Sequence, residues 1–375
     1  MTAQLTKPLV VPEYTTALVK LYVADPVTLL TIPLMSYTVN VQSLLTALVP
    51  GRIAAANACA LNGDDLFISS SSQGSPMTSS QCIFKVPQYL TQRNLAVTQA
   101  FVFALDGNDY VGMAFDAEGN LYAAEGKPGD NHVFKYTGTD KAYPGLALAA
   151  DNNYATRLDL GNAGATSCFA NLAFDAAGNL WVSDYKNHRI VAFDAANLGS
   201  TNTYHVLTNC TLSAPVANSD AKLKADVNLF AEPEGIDFDA PGNLWVANNN
   251  DGGGGIQNVR TSIVQITPTL QAAILATAPA GSLTPTAAQS NTDFFIYQVP
   301  NLADDTDARP QFGGLQIDRA AGRIFVNEEV AGKGRWYDIA TIAVTGTLTG
   351  TNDLDIVSTN PGNGGIALVN VALPP

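Results

Sequence analysis

The sequence predicts an all-β fold, a β-propeller of six blades whose ring is closed by pairing its N- and C-terminal strands. Three observations carry this. One hairpin motif recurs along the chain, an apolar strand follows each copy, and no amphipathic helix is evident between copies. Four windows align, the last with one extra residue in its turn: GMAFDAEGNLYAAE (112–125), NLAFDAAGNLWVSD (171–184), GIDFDAPGNLWVAN (235–248) and GLQIDRAAGRIFVNE (314–328). A degenerate copy is ACALNGDDLFISS (58–70). The turn aspartates Asp116, Asp175, Asp239 and Asp318 lie 59, 64 and 79 residues apart.

Each window is a hairpin. Apolar residues alternate before the turn, as at Leu172 and Phe174, and after it, as at Leu180 and Val182. Between them Asp-x-x-Gly-Asn supplies an Asp that accepts main-chain N–H groups and a Gly for the left-handed position. Third strands follow at HVFKYTG (132–138), HRIVAFD (188–194), SIVQITP (262–268) and RWYDIAT (335–341), with SQCIFKVP (80–87) in the degenerate unit. The expected units are 51–100, 101–160, 161–225, 226–290 and 305–350, within a single domain spanning 1–375. A sixth, closing blade is drawn from 1–50 and 351–375: TTALVKLYVADP (15–26) has the third-strand pattern, and GGIALVNV (364–371) supplies a strand to pair with the N-terminal segment. Closure removes the ring's open edges. A seventh blade hidden in 276–310 is the alternative.

Composition agrees with a packed fold and excludes several functions. The 375 residues are 46% hydrophobic and only 14% charged, against about 25% in an average soluble protein. Disorder is excluded by the apolar content. Thirty-three acids against 19 bases give a net charge of −14, which argues against nucleic acid as a partner. The basic cluster Lys222, Lys224 and Arg260 is sparse. No apolar run reaches the ~20 residues needed to insert in a membrane. The start, MTAQLTKPLVVPEY, lacks the pattern of a secretory signal, so synthesis in the cytosol is expected, compatible with a surface or virion location. The four cysteines form no CxxC and read as small buried apolar residues.

NLAFDAAGNLWVSDYKNHRIVAFD (171–194) resembles an NHL repeat, and EPEGIDFDAPGNLWVAN (232–248) resembles the corresponding segment of gluconolactonase-like, senescence-marker-type propellers. The resemblance implies a six-bladed ring. It also implies a divalent-metal site, Ca2+ or another cation on carboxylate and amide oxygens, at the channel mouth. The residue before each inner-strand segment points there: Asn57, Val111, Ala170, Glu234 and Gly313. Carried over position by position, the ligands are Glu234 and Asn57, with Asn171 displaced by one from a third; Asp109 or Asp237 is the candidate base. Asp237 stands out because its repeat mates are Ala114, Ala173 and Gln316. The residues themselves call for no cofactor.

Other polar groups read more plainly. Asn248-Asn249-Asn250-Asp251 before four glycines, and Asp304, Asp305 and Asp307, are read as solvated loops. Glu328 and Glu329 are expected to pair with Lys333 and Arg335. His132 and His188 occupy equivalent repeat positions and are expected to make structural hydrogen bonds; with His205 they do not form a zinc set. Two functions follow. The first is a non-enzymatic binding or structural module making protein or glycan contacts, as in a surface or virion assembly, because its loops are rich in Thr, Ser, Asn and Ala. The alternative is a divalent-metal-dependent lactonase or related hydrolase with its site at the channel mouth. Two of the expected oxygen ligands and a shifted third rank contact above catalysis. RNA recognition, known in NHL domains, conflicts with the charge.

Overall fold

The computed structural model describes residues 6–13, 16–24, 31–48, 55–71, 82–92, 100–104, 110–126, 132–138, 156–159, 166–198, 203–212, 227–249, 261–298, 312–328, 333–345, 348, 353–354 and 366–369. Blade 1 contains β1 (Leu9–Glu13), β2 (Leu18–Ala24) and β3 (Thr31–Asn40). Blade 2 is β4 (Ala55–Asn62), β5 (Asp65–Ser71), β6 (Cys82–Val86) and β7 (Phe101–Ala104). Blade 3 is β8 (Tyr110–Phe115), β9 (Leu121–Glu125), β10 (His132–Tyr136) and β11 (Thr156–Asp159). Blade 4 is β12 (Phe169–Phe174), β13 (Leu180–Asp184), β14 (Arg189–Phe193) and β15 (His205–Leu207). A small ribbon, β16 (Thr211–Leu212) with β17 (Val227–Asn228), precedes blade 5, made of β18 (Pro233–Phe238), β19 (Leu244–Asn248) and β20 (Ser262–Ile266). After β21 (Ser282–Leu283), β22 (Phe294–Gln298) completes blade 5. Blade 6 is β23 (Phe312–Asp318), β24 (Arg323–Glu328), β25 (Lys333–Asp338) and β26 (Asp353–Leu354). Finally β27 (Ala367–Leu368) returns to blade 1 as its innermost strand.

Ring closure is as the sequence predicts. Leu9 pairs with Leu368 and Val10 with Ala367, antiparallel, and the Val369 N–H donates to the Pro8 carbonyl at 2.9 Å. The segment at 15–26 contains β2, the third strand of its blade. The alternative, a seventh blade, is not found in the described part of 276–310. Its residues instead extend blades 4 and 5.

The core is divided into six apolar slabs, one at each blade-to-blade seam. Val10 and Leu21 pack towards Cys59 and Ile68 of blade 2, while Leu9, Val11 and Tyr22 pack towards Phe325 on the other side. Trp181, Ile236 and Val246 fill the seam between blades 4 and 5; Trp245, Leu315 and Val326 fill the next. Each blade therefore buries both faces, and successive side chains of one strand serve opposite seams. This explains why β9, β13 and β19 are buried at every position.

The hairpin turns form as their residues dictate. Asp175 Oδ1 accepts the Ala177 and Asn179 N–H groups, both at 2.9 Å, and Oδ2 accepts the Asn179 amide at 2.8 Å. Gly178 sits at φ +85°, a conformation open to glycine at no steric cost. Asp116 and Asp239 repeat the arrangement.

Short helices do occur, against expectation: α1 (Val41–Leu48), α2 (Tyr89–Gln92), α3 (Pro268–Leu275) and α4 (Ile339–Thr345). Three of them lie between the third and fourth strands of a blade. None exceeds eight residues, too short for a 3.6-residue period to show in sequence. The segment after α3 also crosses a seam. β21 pairs in parallel with β15, so blade 5's insert becomes the fifth strand of blade 4.

Candidate functional site

The six inner strands β27, β4, β8, β12, β18 and β23 stand side by side around the axis. Five of them carry a β-bulge near their start. Register shifts fall between Ala56 and Ala58, Tyr110 and Gly112, Phe169 and Leu172, Pro233 and Ile236, and Phe312 and Leu315. The bulged positions include Asn57, Val111, Ala170, Glu234 and Gly313, the residues that the repeat alignment selects. A bulge re-aims its side chain out of the pleat, which is how a strand directs one residue towards a rim.

The bulges are tied to one another and to their own blades. The Asn57 amide donates to the Tyr110 carbonyl of the next blade at 3.1 Å. Asn171 lies against Gly112, where a Cβ would come within 2.6 Å of the Asn171 Cα. The Asn171 N–H donates to Ser183 Oγ at 2.9 Å, and its own Oδ1 accepts the Leu172 N–H at 2.8 Å. The Ser183 hydroxyl donates to the Glu234 carbonyl at 2.6 Å. At the following seam Gly235 leaves no room at all: a Cβ would sit 2.2 Å from the Leu315 nitrogen.

Glu234 is buried at 3% exposure, and its Oε1 accepts the Asn249 amide at 2.7 Å. Asn249, read in sequence as part of a solvated loop, is instead buried beside it, and its N–H donates to the Glu232 carbonyl. Asn248 is fully buried and clamps the Leu229 carbonyl and Ser262 Oγ. The loop reading thus fails for both asparagines. The place of Asn248 at the end of a second strand, equivalent to Asp184 and Glu125, with Asn249 directly after it, is the signal that would have placed them. Asn250, Asp251 and the glycines lie outside the described residues, as do Asp109, Asp304, Asp305, Asp307, Glu329, Lys222, Lys224 and Arg260.

The histidines are bonded within the fold, but two of them are not equivalent. Val133 pairs with Ala124 while Ile190 pairs with Ser183, so Arg189, not His188, occupies the place of His132. His132 Nδ1 meets Glu125 Oε2 at 2.8 Å, and Arg189 Nε donates to Asp184 Oδ2 at 2.7 Å. His188, at φ +49°, accepts the Glu232 N–H on Nδ1 at 3.0 Å and thereby reaches the rim between blades 4 and 5. His205 bridges Thr277 and Asp194. The expected acid–base pairing in blade 6 is Arg335 Nε to Glu328 Oε2, 2.7 Å.

Asp237 is three residues along β18 from Glu234, about 10 Å at strand rise, and it faces a different place. It lines a cavity of about 370 Å³ towards the hairpin-turn end of the channel. Its Oδ2 accepts the Ile317 N–H at 2.8 Å, and Oδ1 accepts the Phe238 N–H at 2.7 Å and Arg319 Nη2 at 3.3 Å. Burial raises its pKa above the usual carboxylate range, against the opposing pull of Arg319 and the two N–H groups. Asp237 and Glu234 therefore do not share one site, and Asp237 holds blade 5 to blade 6. All four cysteines are free thiols; Cys59 and Cys82 are buried as expected, and Cys168 and Cys210 are partly exposed. Among the described residues no helix is long and apolar enough to cross a membrane.

No protein-family model and no curated protein matches the chain. Solved structures do. A protein of unknown function from Bacteroides caccae aligns over 97% of this chain and 99% of its own, at 11% identity and a TM-score of 0.51. The chain has the fold of a six-bladed β-propeller. Lower on the scale, a catalytically inactive virginiamycin B lyase from Staphylococcus aureus with quinupristin aligns over 96% of this chain and 89% of its own, at 13% identity and 0.47. A calcium-binding protein, regucalcin from Agrobacterium tumefaciens, aligns over 63% and 66%, at 11% identity and 0.37.

Proposed function

We propose that this propeller is a non-enzymatic binding or structural module that contacts a protein or glycan at the bulged rim of its channel. One observation carries the reading. Of the five bulged positions, only Asn57 and Glu234 bear a side-chain oxygen, and each makes a bond inside the fold, to the Tyr110 carbonyl and from the Asn249 amide. Beyond them the bulged positions are Val111, Ala170 and Gly313, all uncharged, and of the five Val111 is the one that is not buried. Such neutral surfaces meet sugar hydroxyls or a polar protein face without the desolvation cost of charge. Among the described residues Val344 is the sole large apolar side chain that is strongly exposed, at 84%, so a contact surface here is polar rather than greasy.

The test is a glycan array and a solution binding assay with the full chain and a Val111→Lys variant, whose lysine stands on the rim. Binding that the variant loses while its melting temperature is unchanged supports the reading. Binding that the variant retains places the contact elsewhere and overturns it. Melting with and without EDTA addresses the metal-dependent hydrolase. A ligand of the native state must raise its stability, so an EDTA-induced drop that Ca2+ restores, and that Glu234→Gln abolishes, overturns the module in favour of the enzyme.

A further inference from the structure

The cavity at the turn end of the channel is built from all six blades. Every inner strand contributes to its lining, and Ala60, Ala114, Ala173, Asp237, Gln316 and Ala367 form one level of it. Four are alanine, so the space is left by truncated side chains. The polar pair comes from adjacent blades. Arg319, on the turn just beyond β23, reaches into the same cavity.

Arg319 is anchored but not used up. Its Nε donates to the Phe238 carbonyl at 2.8 Å and one Nη2 hydrogen goes to Asp237 at 3.3 Å. A guanidinium has five N–H donors in a rigid fork, and the other three make no bond among the described residues. The side chain is 53% exposed. The Gln316 side chain makes no hydrogen bond among the described residues either, and its amide can both donate and accept. A planar fork held by Nε and one Nη2 hydrogen, half exposed and lining a cavity, matches a carboxylate. An amide beside it matches a hydroxyl. The volume, about 370 Å³, exceeds the need of an inorganic ion and sits at the lower end of small-molecule sites.

We infer that the turn end of the channel binds a small hydroxylated carboxylate, its carboxylate on the remaining N–H groups of Arg319 and a hydroxyl on the Gln316 amide. This site is separate from the rim and does not depend on the rim's function. Charge sets its pH response. The titratable and charged groups around the cavity are Asp237, Arg319, Asp175 and Cys59. Burial holds the Cys59 thiol protonated, and burial also raises the Asp237 pKa against the pull of Arg319 and two main-chain N–H groups. Asp237, already disfavoured as an anion by burial, is the group that takes a proton when a second carboxylate arrives beside Arg319. Binding therefore tightens as pH falls towards the raised Asp237 range.

The experiment uses the methionines of the full chain, labelled with 13C at their methyl groups. There are four, and Met113 lines the cavity. Titration with L-tartrate or L-malate should move the Met113 resonance, assigned through Met113→Leu, in a saturable way and leave the others still. Succinate, without hydroxyls, should bind more weakly, and erythritol and sulfate at matched ionic strength should do nothing comparable. Arg319→Lys should weaken tartrate at least tenfold. Gln316→Leu should erase the preference for tartrate over succinate, a readout that stands even if the Arg319 variant fails to fold. Absence of a saturable Met113 shift with either acid, or an equal response to sulfate, overturns the proposal, as does tartrate binding that neither variant alters.

Discussion

The Trp245 indole N–H donates to Asp239 Oδ2 at 2.8 Å, so the residue that shapes a hairpin turn also anchors the largest side chain in the adjoining seam. Trp181 and Asp175 repeat the contact at 3.1 Å. The turn and the apolar slab are thus one structural unit. Trp245 is fully buried, and its single polar atom would otherwise be unsatisfied.

Asp239→Ala should therefore cost more than a turn residue usually does. It removes the acceptor for the Asn243 N–H, the Asn243 amide and the Trp245 indole, a loss of roughly 2–4 kcal/mol. Asp239→Asn, which keeps one acceptor oxygen, should cost less. Urea unfolding of the two variants checks the order.

Gly235, in the blade 5–6 seam, and Gly63, in the turn between β4 and β5, differ in what surrounds them. Gly235→Ala puts a methyl 2.2 Å from the Leu315 nitrogen and 2.5 Å from the Gly313 oxygen, main-chain atoms that cannot rotate aside. On the order of 3 kcal/mol is expected, with the blade 5–6 seam opening first. Gly63→Ala meets nothing within 4 Å and pays only for its φ of +57°, about 1–2 kcal/mol. Hydrogen exchange across Ile317 in the Gly235 variant reads out the seam directly.

Asp237 and Asp318 should respond to acid in opposite senses. The folded-state pKa of Asp237 is raised, so its ionised form destabilises the fold at neutral pH; stability is recovered as pH falls through that raised value and levels off below the ordinary Asp range. For Asp318 burial pushes upward, but hydrogen bonds from Thr6, Lys7 and the Ala321 N–H, with the Lys7 charge, bring the pKa below the usual value. Its contribution is present above the unfolded pKa and is lost as pH falls through the folded one. Carboxyl 13C titration should find Asp237 protonating first on acidification and Asp318 later.

Removal of residues 366–375 should open the ring. It deletes both β1–β27 pairs and the Val369–Pro8 bond, exposing the inner edge of β1. Limited proteolysis should then cut within blade 1 at protease levels that spare the full chain, while the blade 3–4 seam stays protected.

The parts of this fold that were legible in sequence are those set within a few residues. Asp-x-x-Gly-Asn declares its turn because donor, acceptor and glycine all fall inside five positions. Alternating apolar residues declare the strands, and five repeats supply the register that places Asn57 opposite Glu234 in the alignment. The parts that were not legible depend on partners far along the chain. Asp237 takes its role from Ile317, some 80 positions away, and no local pattern shows that its oxygens are already committed. His188 and His132 look equivalent by neighbouring letters, yet strand pairing shifts them by one, because Arg189 and not His188 faces Asp184. Asn249 looks like loop composition until the bulged rim closes over it.

The way blade 1 is assembled bears on how such a chain can be made. Strand β1 waits for a neighbour about 360 positions downstream, at Ala367 and Leu368. At typical elongation rates of about 5–20 residues per second, that interval is roughly 20–70 seconds. During that time β1 offers an unpaired apolar edge to whatever is near, including another nascent copy. Pro12 within the strand blunts that edge, since it offers no N–H for a foreign strand to accept.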